Sequence, residues 1–301
     1  MAKTELFVRR QPGGMFAVVN ESITTGNIFF VDSGTGTNGA GYGRNPDAPT
    51  ATIDYAVGLC TANNGDIIYV MPGHAEVVSA AAGLDLDVAG ISVIGIGSGT
   101  DQPTVTLDTA TTADVDVDAA NITVENIHFR ANFADVAAAI DVNSTDFTLR
   151  NCRFSDVATN MNAKIWVQDA AAAASSRITI QGCHAIAKDA ANTHFVNFAG
   201  TGDGHVVRDN ILIGDWGTMC IGGAGVVTNA TILNNVISNA ATDNDSCINF
   251  AATATGIVMG NLCAGGAAQA NGVTATAMAL AQNYYGVVSE DLSAILDPIA
   301  T

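Results

Sequence analysis

The sequence predicts an all-β solenoid in which short strands stack in coils, with three strands to a coil. A ten-residue phrase recurs along the chain, as in 122-ITVENIHFRA-131, 147-FTLRNCRFSD-156 and 178-ITIQGCHAIA-187. Each copy alternates apolar and polar residues on either side of an Asn or Gly. Alternation with a period of two is typical of strands, and self-similarity at intervals of about 20–50 residues indicates a stack of repeats.

The Asn or Gly of each phrase is expected at the bend between two strands, because these residues tolerate a left-handed backbone. This turn ladder has spacings of 31, 25, 31, 28, 25 and 26 residues and comprises Gly95, Asn126, Asn151, Gly182, Asn210, Asn235 and Asn261. A third short strand follows in each repeat, such as Ile140-Asp141-Val142. About eight coils spaced at ~4.8 Å would make a rod on the order of 40 Å long.

Over about residues 67–276 the stacking pattern resembles the right-handed parallel β-helix proteins, which include pectate lyases, polygalacturonases and phage tail-spike or other virion proteins. The resemblance implies a single-stranded right-handed parallel β-helix of the pectin-lyase-like kind. The stretch 46-PDAPTATIDYAVGLCTANNGDIIYVMPG-73 also resembles the entry of that family, where a short helix covers the first coil. Such a helix near residues 50–61 would be capped by Thr50 or Thr52.

The ends of the chain lack the repeat and are expected to close the solenoid, whose terminal coils would otherwise expose unpaired strand edges. Residues 1–45 are predicted to form an N-terminal arm and loop, and residues 46–280 the β-helix. Residues 281–301 are predicted to form a C-terminal helical cap or tail, whose apolar side would carry Leu292, Ile295 and Leu296.

The composition disfavours several classes of partner. The chain has 29 acidic and 11 basic residues, a formal net charge of −18, so binding to nucleic acid or to an anionic membrane surface is not expected. The N-terminal stretch lacks the apolar core of a secretory signal. No apolar run approaches the ~18 residues of a membrane-spanning helix. Six Cys without a CxxC pair are expected to be buried free thiols.

An acidic row is predicted on the outer face of the third strands. Its candidate residues for binding a glycan or Ca²⁺ are Asp85, Asp87, Asp116, Asp141, Trp166 and Asn197. Carboxylates stacked one coil apart repel, so each would gain from a cation or a proton. In the pectate lyases that the chain resembles, acidic residues on this face hold Ca²⁺, and an exposed Trp would stack on a sugar. A hydrated acidic face without ligand explains the same pattern, so no cofactor is predicted and Ca²⁺ is the alternative.

The sequence contains no evident catalytic set. None of the polygalacturonase motifs, the Asn-Thr-Asp triplet, the adjacent Asp pair and the Gly-His-Gly, occurs in the sequence. The string 202-GDGHVVRD-209 supplies four weak candidates: Asp203, His205, Arg208 and Asp209. General acid–base chemistry needs two carboxylates that face each other across a substrate, and a structural turn is the better explanation of this string.

An apolar stripe is predicted on the outside of the later coils. Positions that hold Thr, His or Arg in the early phrases become apolar later, which gives five interface candidates: Val207, Leu212, Ile232, Ile237 and Val258. Large exposed apolar patches usually mark an interface, so a homotrimer is expected. A register slip of one residue from Arg208 onward would instead turn this stripe inward.

Two functions fit these patterns. The first is a non-catalytic bacteriophage structural protein, located in the virion as a capsid-decorating or spike subunit that contacts the shell. This hypothesis depends on the resemblance of the stacking pattern to phage virion proteins. The alternative is a carbohydrate-active β-helix, either a polysaccharide lyase or a glycan-binding spike, that uses the acidic row. A bacterial surface adhesin is a third hypothesis, which the missing secretory signal disfavours.

Overall fold

The computed structural model describes residues 26–169, 175–189, 191–240, 246–265 and 272–286, and the backbone of three further strands, Arg9–Gln11, Gly14–Phe16 and Ser293–Leu296. Over these residues the chain winds into a parallel β-helix in which each coil adds one strand to each of three sheets. The all-β fold class and the arrangement of about eight coils are therefore confirmed.

The sheets are defined by their strands in stacking order. The first sheet comprises Ile28–Val31, Ile67–Val70, Ser92–Gly95, Thr123–Glu125, Thr148–Arg150, Thr179–Gln181, Val206–Arg208, Ala230–Leu233, Gly256–Met259 and Ala279–Ala281. The second comprises Ala75–Val78, Thr104–Leu107, His128–Ala131, Arg153–Asp156, His184–Ala187, Ile211–Gly214, Val236–Asn239, Leu262–Gly265, Asn283–Gly286 and Ser293–Leu296. The third comprises Leu84–Asp85, Val115–Val117, Ile140–Val142, Ile165–Asp169, His194–Phe198, Met219–Gly223, Ser246–Phe250 and Val273–Thr274.

Four short elements and two helical turns complete the description. Two small pairs lie outside the three sheets: Arg9–Gln11 with Gly14–Phe16, and Gly202–Asp203 with Val227–Thr228. The helical segments are the α-helix Ile53–Val57 and the 3₁₀ turn Gly99–Asp101. Neither of these helical segments, which are those of the described residues, has the length and apolar character needed to span a bilayer.

The core runs along the axis of the solenoid. Strands of neighbouring coils are parallel and in register, so Phe129 of one coil pairs with Val105 and Phe154 of the coils on either side. Alternate residues point inward, and the inward side chains form one continuous hydrophobic cluster. Phe129 and Phe154 stack with their ring centroids 5.3 Å apart and an interplanar angle of 17°. Stacked rings of this kind stabilise the middle coils.

The helix Ile53–Val57 covers the first coil, as the sequence predicts. Thr52 is its N-cap, and the Thr52 hydroxyl oxygen accepts a hydrogen bond from the Tyr55 N–H at 3.3 Å. The carboxylate of Glu76, from the second sheet, accepts a hydrogen bond from the Ile53 N–H at 3.0 Å. Both bonds satisfy N–H groups that have no partner within the helix.

The solenoid begins earlier than the predicted boundary at residue 46. Ile28–Val31 lies within the segment expected to be an arm, yet it pairs in parallel with Ile67–Val70 as the edge strand of the first sheet. Phe29 and Val31 of this strand are buried in the core. The strand covers an edge of the first complete coil that would otherwise remain unpaired.

The prediction of a C-terminal helix is wrong for Ser293–Leu296, the part of the predicted cap whose backbone the structure describes. Asn283–Gly286 is a further strand of the second sheet, and Ser293–Leu296 pairs with it in antiparallel orientation. Ile295 and Leu296 therefore lie in a strand, because the edge of the last coil offers unpaired N–H and C=O groups to an extended segment. Leu292 and the other parts of the predicted cap lie outside the described residues.

The predicted turn residues are correct at Asn126, Asn151 and Gly182. In the later coils the turn lies one residue earlier than predicted. Left-handed φ values of 58°, 53° and 66° occur at Asn126, Asn151 and Gly182. Gly95 ends a strand without a left-handed φ, and its carbonyl accepts a hydrogen bond from Asn126 Nδ2 at 2.8 Å. In the later coils the left-handed residues are Asp209, Asn234 and Gly260.

The residues that follow these turns, Asn210, Asn235 and Asn261, point into the solenoid and form an amide ladder with Asn283. All four side chains are fully buried. Nδ2 of Asn210 donates to Oδ1 of Asn235 at 2.9 Å, and equal bonds join Asn235 to Asn261 and Asn261 to Asn283. The second Nδ2 hydrogen of Asn235 reaches the carbonyl oxygen of Val207 at 3.0 Å. Because the amides pair with one another and with the backbone, their burial leaves no lone donor.

Candidate functional site

The acidic row lies on the outward side of the third sheet and is shorter than predicted. The register pairs Asp85 with Asp116, and Asp116 with Asp141. In the next two coils the same position holds Gln168 and Asn197. Nδ2 of Asn197 donates to Oε1 of Gln168 at 3.4 Å. The row therefore changes from stacked carboxylates to stacked amides along the rod.

Trp166 does not belong to this row. In the strand Ile165–Asp169, Gln168 and not Trp166 pairs with Asp141. The Trp166 side chain is fully buried, with its ring edge against Phe154 at a centroid distance of 5.4 Å. The prediction of an exposed Trp that stacks on a sugar is wrong, because the large ring fills the core of the middle coils.

The carboxylates of the row destabilise one another's charged forms. Burial first, and then the charges of Asp114 and Asp118, raises the pKa of Asp116 to about 6. Burial and the same two neighbours raise the pKa of Asp141 to about 6, with Asp169 contributing. Oδ1 of Asp141 is buried and has no hydrogen-bond partner. A row of this kind takes up protons as the pH falls toward about 6.

The geometry of the row does not assemble a calcium site. Ca²⁺ takes about six to eight oxygen ligands, whereas no three His, Cys, Asp or Glu side chains converge to hold a metal in the part of the chain that the structure describes. Burial, followed by the charge of Asp87, raises the pKa of Asp85. Asp87 itself is exposed beyond the end of the strand Leu84–Asp85. Binding of Ca²⁺ to the acidic row stays a prediction.

His205, the central member of the weak catalytic candidates, is a core residue. Its side chain is fully buried, and its ring stacks on Phe198 with centroids 4.6 Å apart. Nδ1 of His205 accepts a hydrogen bond from the Ile178 N–H at 3.3 Å. Burial lowers the pKa of His205 to about 4. The neutral ring has no access to a substrate.

The other three candidates lie on the surface and have structural roles. Asp203 accepts a hydrogen bond from the Thr228 hydroxyl at 2.6 Å, which links two coils. Arg208 donates to Oε1 of Gln181 at 2.8 Å. Asp209 is the left-handed residue of its turn. The structure therefore does not bring the four residues together as an acid–base set.

The predicted interface stripe belongs to the core. All five of its residues are buried: Val207, Leu212, Ile232, Ile237 and Val258. Val207 pairs with Ile180, an inward residue of the preceding coil. The predicted stripe is therefore out of register by one residue, and its side chains point inward. The outward positions of the later second-sheet strands are nevertheless mostly apolar. Five side chains there are 40–48% exposed: Ile211, Ile213, Val236, Leu262 and Tyr284.

The outward face of the second sheet carries no carboxylate in the nine strands, Ala75–Val78 to Asn283–Gly286, whose side chains the structure describes. Each of these strands turns alternate residues outward. The outward residues are Ala75, Val77, Thr104, Thr106, His128, Arg130, Arg153, Ser155, His184, Ile186, Ile211, Ile213, Val236, Ser238, Leu262, Ala264, Tyr284 and Gly286. In a chain with 29 acidic residues, this composition separates the face from the acidic row of the third sheet.

Two guanidinium groups lie in the middle of this carboxylate-free face. Arg130 and Arg153 occupy neighbouring strands, where Arg130 pairs with Ser155 and Arg153 with His128. Within the described residues, neither guanidinium has a carboxylate in ion-pair range. Three other cations, Arg150, Lys164 and Arg177, do form ion pairs, as Arg177 does with Asp146 at 2.6 Å. The two unpaired guanidiniums are thus available to an external anion.

Neutral imidazoles flank the two guanidiniums. Burial, followed by the charges of Arg153 and Arg130, lowers the pKa of His128 to about 4. Burial and the Arg153 charge also lower the pKa of His184. Nε2 of His128 lies 2.9 Å from the Ser155 hydroxyl. Near neutral pH the face therefore presents two fixed positive charges beside uncharged hydrogen-bonding groups.

His128, Arg153 and His184 are among the His and Arg positions of the early phrases, but the sequence alone did not reveal the face that they share. The usable signal was the absence of Asp and Glu at alternate positions after each turn, which holds in every phrase from Ala75 onward. That signal becomes readable only with the correct register, because a slip of one residue exchanges the two faces of a strand.

Comparison with known proteins finds likeness in structure and not in sequence. No family model matches the chain, and no curated protein matches it. Pectin methylesterase from Aspergillus niger, in deglycosylated form, superposes with a TM-score of 0.53 at 16% identity, over 92% of this chain and 93% of the other. The GH136 lacto-N-biosidase from Eubacterium ramulus gives a TM-score of 0.32 at 11% identity, over 87% and 67%.

The first of these likenesses defines the class of fold. The chain has the fold of a right-handed parallel β-helix, as the resemblance in the stacking pattern implies. At 16% identity the superposition shows the fold alone, and the second match is too distant to support an argument. Function must therefore come from the faces of this particular solenoid.

Proposed function

We propose that the protein binds an anionic polysaccharide, such as a polyuronate, along the outward face of its second sheet. The observation that carries the proposal is the pair of unpaired guanidiniums, Arg130 and Arg153, on a face without carboxylates. Guanidinium groups bind carboxylates through paired charge-assisted hydrogen bonds. The rest of the surface of this acidic chain would repel the same polymer.

The shape of the face supports a polymeric ligand. The five stacked strands from Ala75–Val78 to His184–Ala187 at ~4.8 Å give a flat strip on the order of 20 Å long, which spans several sugar units. Arg130 and Arg153 are offset by one strand and two residues, which places their Cα atoms about 8 Å apart. Val77, an exposed apolar residue on the first strand of the strip, offers surface to the apolar face of a sugar ring.

The proposed function is binding of the polysaccharide without catalysis. Hydrolysis of a glycan requires two carboxyl groups on either side of the scissile bond, and the outward residues of this face include none. The Aspergillus niger neighbour is a pectin methylesterase, and pectin is a partly anionic polysaccharide, which supports the choice of ligand class. A polysaccharide lyase that uses Asp116 and Asp141 on the third sheet is the competing carbohydrate-active proposal.

The test is a titration of the full-length protein with polygalacturonate at low salt, with neutral dextran as the control polymer. We expect binding to polygalacturonate alone. The double variant Arg130→Gln/Arg153→Gln should bind at least tenfold more weakly, because each lost charge-assisted bond is worth about 1.5–3 kcal/mol. The matched control Arg150→Gln/Arg177→Gln removes the same charge from cations that pair with Glu125 and Asp146, and it should bind like the wild type.

Two outcomes would contradict the proposal. Equal loss of binding in both double variants would indicate a general charge effect and not a site. Cleavage of polygalacturonate that needs Ca²⁺ and disappears in Asp141→Ala would instead establish a lyase on the acidic row.

A second candidate function, a non-catalytic subunit of a bacteriophage virion that docks on the capsid shell, is favoured by the exposed apolar side chains of the later coils. Ile211, Val236, Leu262 and Tyr284 occupy one outward row of the second sheet. Exposed apolar rows usually mark contact with another protein. The presence of the protein in purified particles, measured by mass spectrometry, tests this candidate.

A further inference from the structure

We infer that the protein forms a two-fold symmetric dimer through the apolar end of the second sheet, with the two rods antiparallel. The dimer patch consists of Ile211, Ile213, Val236, Leu262 and Tyr284. The inference is independent of the proposed glycan binding, which uses the guanidiniums of earlier coils.

The patch is continuous across four stacked strands. Ile211 pairs with Val236, Val236 with Leu262, and Leu262 with Tyr284, so their side chains form one outward row. Ile213 starts a second row, which continues through the small residues Ser238 and Ala264. A row of large side chains beside a row of small ones makes a ridge next to a groove.

The size of the patch suits a specific contact. Five large side chains that are each 40–48% exposed make an apolar surface on the order of a few hundred Å². Exposed apolar patches of that size usually mark an interface. Two such patches with their rims would bury roughly 1,000 Å² in total, which reaches the lower bound for a specific protein interface. Flat sheet faces also pack closely, at ~10 Å.

Charge favours a second copy of the chain as the occupant. Each copy has a formal net charge of −18, and most pairs of faces would therefore repel. From Ile211 to Gly286 the described outward residues of the second sheet contain no charged side chain. Two copies can therefore meet at this end of the sheet with little direct repulsion between the surfaces in contact.

Charge also selects the antiparallel orientation. Parallel rods that meet through this face would bring Arg130 and Arg153 of one copy opposite the same residues of the other, with no carboxylate on the face to compensate. A two-fold axis between the strands of Val236 and Leu262 instead places the guanidiniums of the two copies at opposite ends of the dimer. Ile211 then lies opposite Tyr284 of the partner subunit. The same argument disfavours a parallel form of the homotrimer that the sequence predicts.

The first experiment is sedimentation equilibrium on the full-length protein. We expect twice the chain mass of 30.6 kDa, and a return to 30.6 kDa in the variant Leu262→Lys. Val77→Lys is the matched control, because Val77 is an exposed apolar residue of the same face outside the patch, and it should stay dimeric. Circular dichroism melting checks that both variants are folded.

Cysteine cross-linking then tests the orientation. In the antiparallel dimer with sheets ~10 Å apart, the Cα atoms of two Val236→Cys residues lie one strand apart across the axis, at about 11 Å. That distance is too long for a disulfide but suits a bis-maleimide reagent of matching span, which should cross-link this variant. The two Ile211→Cys residues lie three strands apart, at ~17 Å, beyond the span of the same reagent, and should not cross-link. Equal cross-linking at both positions would overturn the antiparallel arrangement. A monomeric or trimeric mass for the wild type, or a dimeric Leu262→Lys variant, would overturn the inference. Loss of dimerisation with intact polygalacturonate binding would leave the proposed function standing.

Discussion

Asn210 and Asn235 stack inside the solenoid, with Nδ2 of Asn210 donating to Oδ1 of Asn235 at 2.9 Å. The pair belongs to a buried ladder that continues through Asn261 to Asn283. Oδ1 of Asn235 also accepts a hydrogen bond from the backbone N–H of Asn210 at 3.2 Å. The ladder therefore fixes the register of the later coils through side chain and backbone together.

The first prediction concerns this ladder. Asn235→Leu should lower the free energy of unfolding by about 3 kcal/mol, because it leaves the buried donors of Asn210 without their acceptor. Urea denaturation followed by circular dichroism measures the loss. The neighbouring substitution Asn234→Gly is the control: Asn234 has a left-handed φ of 54°, which glycine adopts without strain. A stable Asn235→Leu variant would contradict the role of the ladder.

A second prediction concerns the packing of His205. A Cβ atom at Gly202 would collide with the His205 ring and would lie 2.5 Å from the carbonyl oxygen of Ser175. Gly202→Ala should therefore destabilise the protein by about 2–4 kcal/mol. Gly39→Ala serves as the control, since its Cβ would make only ordinary contacts of 3.8 Å and longer. Equal melting temperatures of the two variants would show that the turn at Gly202 relaxes freely.

The third prediction is a pH dependence from the acidic row. Because the folded protein raises the pKa of Asp141 to about 6, the folded state binds more protons than the unfolded state between about pH 4 and 6. This contribution to stability is therefore lost as pH rises through that window. Asp141→Asn removes the charge, so it should be more stable than the wild type by about 1–2 kcal/mol at pH 7 and equally stable near pH 4.

The comparison must be made between variants, because buried histidines contribute with the opposite sign. Burial lowers the pKa of His194 and His205 to about 4, so their protonation destabilises the fold as pH falls from about 6.5 to 4. Asp209→Asn is a suitable control, since Asp209 is exposed on a turn where Asn tolerates the left-handed backbone. A pH-independent difference between Asp141→Asn and the wild type would contradict the charge repulsion.

The fourth prediction concerns the two tryptophans, Trp166 and Trp216. Both side chains are fully buried, so the intrinsic fluorescence should have the short-wavelength emission of an apolar environment. Saturating polygalacturonate should leave that emission unchanged, since neither ring reaches the proposed binding face. Quenching by the polymer would restore the hypothesis that Trp166 stacks on a sugar.

The sequence was sufficient for the fold because a parallel β-helix repeats one local rule many times. Alternation around Asn126, Asn151 and Gly182 identified strands and bends together, and each copy supported the next. The entry helix followed from its Thr cap and apolar side. Pairing of the C-terminal strand Ser293–Leu296 did not follow, because the edge of the last coil and not local propensity determines it.

The faces of the later coils were harder to predict. Asn210 and Asn235 were assigned to the turns because Asn is a common left-handed residue, whereas Asp209 and Asn234 occupy those turns. Only the stacked amides of neighbouring coils make buried Asn favourable, and one sequence does not show which residues stack. The same one-residue shift explains why Val207 lies in the core and Ile211 on the surface, opposite to the faces that the predicted register gave them.

The most direct measurement of the central claim is a crystal structure of the protein with a bound polygalacturonate oligosaccharide. The account predicts the sugar along the outward face of the second sheet, with its carboxylates against Arg130 and Arg153. A sugar bound along Asp116 and Asp141 of the third sheet would contradict it.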